Sequence, residues 1–200
     1  QILPMVVALI SIPFLIHGMG TDRFGIVTLI WLVIGYFSLF DFGLSRALTQ
    51  SVAEKIGVGD VEQIPSTIWT ATVVLTALSI LGGVALYALA WWLVYDILKI
   101  PVALQQETLA AVKLMAATIP IVLLTASFAG VLQAYQRFDI YNAIRVPYGI
   151  YNYVSPLLVL PFSNSIFYIT AVLAVGRLAS CIVHFIMCLQ VVPSLRSKFI

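Results

Sequence analysis

Six stretches of this chain stay apolar for about twenty residues each, and that length decides what the chain can become. About 20 apolar residues in a helix cross the hydrocarbon of a bilayer. Strands of a membrane barrel alternate apolar and polar residues over about ten positions, and these runs do not alternate. The expected fold is all-α and integral to the membrane: a six-helix transmembrane bundle, with helices near residues 1–17, 24–48, 64–95, 107–135, 142–160 and 166–192. Polar connections are expected between them, the longest at 49–63, where Gly57, Gly59 and several charges gather. Composition agrees, because 62% hydrophobic and 9% charged residues with a mean hydropathy of +1.09 exceed what a soluble domain carries. No repeat or linker divides residues 1–200, which read as one transmembrane unit. The first apolar run opens directly on Gln1, without a charged leader, so the chain is expected to be a piece whose true start is missing.

The placement of positive charge predicts orientation. Arg46, Lys55, Arg137, Arg145, Arg196 and Lys198 fall on one side of the expected bundle, against Arg23 and Lys99 on the other, with Lys113 just inside a helix. By the positive-inside rule both ends of the chain are expected on the cytoplasmic side of the membrane. A net charge of +2 is too small to point to nucleic acid. Cys181 and Cys188 share one helix, about 10 Å apart along its axis, which is beyond disulfide reach.

Function is to be sought where polar residues recur at helical spacing inside the apolar runs. On the second helix Ser38, Asp41, Ser45 and Thr49 form one stripe. An Asp near the centre of a membrane helix costs roughly 2.5 to 3.5 kcal/mol, so Asp41 should face protein or water. Arg46 lies off that stripe, in reach of the headgroups. The fifth helix carries Arg145, Tyr148, Asn152 and Ser155, and the sixth carries Thr170, Arg177, Ser180, Cys181, His184 and Cys188. Arg177 falls near the middle of its run and must meet a carboxylate, carbonyls, water or an anionic ligand. Two readings stand: Asp41 and Arg177 neutralise each other across a helix interface, or they line a hydrated cavity with Arg145, Tyr148, Asn152 and His184. The bland alternatives are a headgroup anchor for Arg145, an interhelical hydrogen bond for His184 and interhelical glue for Asn152. Neither G-x-S-x-G nor H-E-x-x-H occurs, and the two histidines stand far apart, so no catalytic or metal site is expected. A path for a solute is a better expectation than an enzyme.

With those residues laid out, the chain resembles the N-terminal six-helix half of a polysaccharide flippase of the multidrug/oligosaccharidyl-lipid/polysaccharide exporter superfamily. The resemblance rests on Gly20, Thr21, Asp22, Arg23, Phe24 and Gly25 at the first turn, then Asp41, Phe42, Gly43, Leu44, Ser45, Arg46 and Ala47. It implies one lobe of a twelve-to-fourteen-helix flippase, with the second six-helix lobe in the same full-length chain. It also implies a multi-pass place in a bacterial-type inner (cytoplasmic) membrane and export of a lipid-linked oligosaccharide on polyprenyl pyrophosphate by alternating access, for O-antigen or another surface polysaccharide. Arg177, Arg145 and Asn152 would then meet the pyrophosphate, Tyr148 the sugar, and Asp41 would position an Arg or carry a coupling proton. No cofactor is expected, and whether a proton or sodium drives transport stays open. Two rivals remain: a multidrug antiporter of the same superfamily, and a membrane scaffold whose polar stripes only hold helices together.

Overall fold

The structure, a computed structural model, describes residues 2–37 and 43–196. It is helical throughout, without strands among the described residues: α1 (Ile2–Met19), α2 (Thr21–Phe37), α3 (Leu44–Val58), α4 (Ile64–Trp92), α5 (Val102–Ala117), α6 (Ile119–Ala134), α7 (Phe138–Val159) and α8 (Ile166–Val191). Among the described residues four segments are long and apolar enough to cross a membrane: Ile2–Met19, Val61–Ile97, Val102–Ala134 and Ile166–Val191. The third of these joins α5 to α6 through a break at Thr118, where Pro120 has no N–H to continue the ladder. Gly20, at φ 81°, makes the tight reversal from α1 to α2, a conformation that costs a residue without Cβ nothing.

The sequence differs from the structure most around α3. The expected helix 24–48 starts earlier, at Thr21, and the expected polar loop 49–63 is helical as far as Val58. Ser45, Leu48 and Val52 recur at helical spacing and are buried, while Arg46, Gln50 and Glu54 point outward. The segment is an amphipathic helix, and its charges belong to one face and not to a loop. Gly59, at φ 79°, ends it with its N–H on the Ile56 carbonyl. Ser38 and Asp41 lie outside the described residues. Helices α5 and α7 also begin a few residues before the expected 107 and 142, at Val102 and Phe138. At the latter the Arg137 carbonyl accepts the Tyr141 N–H, and Arg137 and Asp139 pair at 2.9 Å outside the apolar span. The Arg137 guanidinium, bonded to Asp139, holds that carboxyl below the usual carboxylate range.

The interior divides into two apolar blocks. One gathers Leu15, Ile26, Leu75, Leu86, Met115, Ile119, Ile169 and Leu173; the other gathers Leu48, Val52, Ile64, Ile68, Phe128, Leu132, Cys188 and Val192. Between them α4, α6 and α8 contribute Thr72, Ser127, Ser180 and His184, all buried. Helices approach closely where side chains are absent. A Cβ on Gly83 of α4 would stand 3.0 Å from the Ala116 carbonyl oxygen of α5.

At the end holding the first block, three segments are stapled by polar groups. Arg23 donates to the Asn164 carbonyl at 2.9 Å and lies 3.7 Å from Glu107, whose other oxygen accepts the Ile166 N–H at the start of α8. Glu107 thus caps a helix whose first N–H groups have no intrahelical partner. Glu107→Ala is expected to lower stability by about 2 kcal/mol, seen as a drop in the melting temperature of the solubilised protein. Arg23→Ala, which orphans no N–H, is expected to cost less.

Candidate functional site

The spacing of Arg145, Tyr148 and Asn152 places them on one face of α7, and that face borders a cavity of about 790 Å³. Arg177 reaches the same cavity from the middle of α8. Two close approaches set α7 in place. A Cβ on Gly149 would stand 3.0 Å from the Pro4 ring, so α1 lies directly against α7. On the α8 side the Tyr151 ring covers Gly176, and its hydroxyl donates to the Val172 carbonyl at 2.7 Å. Helices α1 and α2 add apolar lining: Pro4, Met5 and Ala8 from α1, and Trp31 from α2. Trp31 meets Tyr153 edge to face with ring centres 6.0 Å apart.

Arg177 is the deepest charge in this space. Its Nη1 donates to the Thr118 hydroxyl at 3.1 Å and lies 3.5 Å from the Met115 sulfur. Among the described residues no carboxylate is in ion-pair distance of it. The Arg177–Asp41 pairing falls outside the described residues with Asp41 itself. Arg145, in the second turn of α7, is exposed, donates to the Tyr141 hydroxyl and sits 5.4 Å over that ring. The Asn152 amide donates to the Tyr148 carbonyl one turn back, at 3.0 Å.

Not every residue of the polar stripes reaches the cavity. Ser155 is buried, and His184 is only 3% exposed, its Nδ1 2.8 Å from the Ser180 carbonyl and its ring edge toward Tyr141. His184 therefore sits in packed protein and not on the cavity wall. Thr170, Ser180 and Cys188 are buried likewise. Of the motif residues, Gly20 makes the first turn, Phe24 packs on the first apolar block, and a Cβ on Gly25 would meet open space. Gly43, at φ 77°, precedes α3, and Arg46 is exposed on it. Sequence spacing had no way to find Thr118 as the partner of Arg177, although Pro120 marks the helix break that presents it. The apolar wall on α1 and α2 was also hidden, since one apolar face of a membrane helix looks like any other.

The lining combines two guanidinium groups, the amides of Asn142 and Asn152 and the phenols of Tyr148 and Tyr153 with hydrocarbon and the Trp31 indole. Such a space suits a ligand with an anionic, hydrogen-bonding head and an apolar body.

Comparison with known proteins gives one line of similarity. The chain is 29% identical over 140 residues to a Shigella flexneri protein named "Putative O-antigen transporter", a match covering 70% of this chain and 33% of that protein. The chain thus matches about a third of that relative's length. No family model matches it, and no solved structure does. The apolar helices and this likeness describe a multi-pass membrane chain related in sequence to a transporter.

Proposed function

We propose that this chain is one lobe of a carrier that moves a lipid-linked oligosaccharide, joined through pyrophosphate to a polyprenyl chain, across the inner membrane. The reading includes six spans, α1, α2 with α3, α4, α5 with α6, α7 and α8, both ends of the chain on the cytoplasmic side, and a second lobe closing the cavity from the other side. The cavity, lined by both cationic and apolar groups, carries it. A pyrophosphate needs cationic partners, and Arg177 from α8 and Arg145 from α7 both line the cavity. The polyprenyl chain needs an apolar surface, which α1 and α2 offer. The likeness to the Shigella flexneri protein supports the same cargo class. A carrier of cationic drugs is the weaker reading, because no Asp or Glu lines the cavity among the described residues.

Chemical access tests the carrier against a packed scaffold. In full-length protein with Cys181 and Cys188 replaced, Asn152→Cys is expected to react with a charged methanethiosulfonate within minutes and to be protected by pyrophosphate. Leu173→Cys, in the sealed interior, is expected to stay unmodified. An Asn152→Cys as inert as Leu173→Cys would mean a bundle with no aqueous path.

A further inference from the structure

The Arg177 guanidinium is held by groups that carry no charge. Thr118 sits at the break between α5 and α6, 4% exposed, and its hydroxyl hydrogen is committed to the Met115 carbonyl at 2.7 Å. The hydroxyl is therefore an acceptor toward its other side, and Arg177 Nη1 occupies that side at 3.1 Å. The Met115 sulfur, on a side chain 1% exposed, adds a second soft contact at 3.5 Å. Pro120 creates this arrangement. Without its N–H the helix breaks at Thr118, whose own N–H turns back to the Met115 carbonyl at 2.9 Å.

A carboxylate in the place of Thr118 would grip Arg177 more strongly and cancel its charge. A hydroxyl fixes one edge of the planar guanidinium and leaves the charge, and the N–H groups it does not engage, to the cavity that Arg177 lines. We infer that Thr118 is a positioning residue: it orients Arg177 so that the guanidinium fork meets an anionic phosphate group in the cavity without being neutralised by the protein. This rests on the carrier reading above and assigns a role to a residue that contacts the ligand only through Arg177.

The test is a double-mutant cycle in full-length, detergent-solubilised protein, with inorganic pyrophosphate as the titrated probe and thermal melting as the control for folding. Thr118→Val keeps the shape, and the Met115 carbonyl keeps the backbone N–H of residue 118. It is expected to weaken pyrophosphate binding about tenfold, the scale of one charge-assisted hydrogen bond. Thr118→Ser, which restores a hydroxyl, is expected to bind as the natural protein does. In an Arg177→Gln background Thr118→Val should have no further effect, since the group it positions is gone. Natural binding by Thr118→Val overturns the positioning role, as does a tenfold loss that persists in the Arg177→Gln background. If Arg177→Gln alone binds pyrophosphate as well as the natural protein, the anion-carrier reading itself fails, a result separable from failure at Thr118.

Discussion

Gly176→Val is expected to destabilise the protein by about 3 kcal/mol and to disturb the α7–α8 seam beside the cavity. A Cβ there would collide with the Cδ1–Cε1 edge of the Tyr151 ring. That ring has little room to yield while its hydroxyl stays on the Val172 carbonyl, one turn back along α8. Moving the ring gives up the hydrogen bond, and keeping it pushes α7 away from α8. Either response shifts Asn152, the next residue on α7, and Arg177, the next on α8. The check is denaturant or thermal unfolding of the solubilised protein, paired with the relief variant Tyr151→Ala. In that background Gly176→Val should cost markedly less, because the clashing partner is absent. Equal costs in both backgrounds would mean that the contact is not what fixes the seam.

The largest functional effect is expected at Arg177. Arg177→Gln should reduce export of the lipid-linked oligosaccharide about a hundredfold, the loss of roughly 3 kcal/mol from a charged contact to phosphate in a partly desolvated site. Membrane abundance should hold, because the Thr118 hydroxyl keeps its bond to the Met115 carbonyl and no carboxylate among the described residues loses an ion-pair partner. Arg177→Lys should retain part of the activity: it keeps the charge and lacks the planar fork. Surface polysaccharide in a strain deleted for the full-length gene reports the outcome. Natural levels with Arg177→Gln, at equal abundance in the membrane, would remove the guanidinium from the transport path.

Much of the architecture was legible because membrane helices write themselves as unbroken apolar length, and a broken run such as 107–135 still reads as one span across Pro120. The helix α3 was misread for a physical reason. Its buried stripe is only Ser45, Leu48 and Val52, and an apolar-run criterion has no sensitivity to a helix that is half polar. The 3.6-residue recurrence was present and pointed the right way. At the site, helical spacing on one element was a sound guide, since Arg145, Tyr148 and Asn152 do share a wall. Contacts between elements were not legible. Nothing in spacing distinguishes the buried His184 from the cavity-lining Arg177 two turns earlier, because that difference is set by what α6 and α7 place against α8.

The division of the interior into two apolar blocks, with Thr72, Ser127, Ser180 and His184 at the seam, bears on motion. Tightly interlocked hydrocarbon resists sliding, whereas a hydroxyl whose bond returns to its own helix, as Thr72 does to Ile68 at 2.7 Å, holds nothing across the gap. On the carrier reading proposed above, rocking of one block over the other would bend α4, α6 and α8 at this seam and leave both greasy halves intact. Arg177, about one turn before Ser180 on α8, would then lie beside the bending plane.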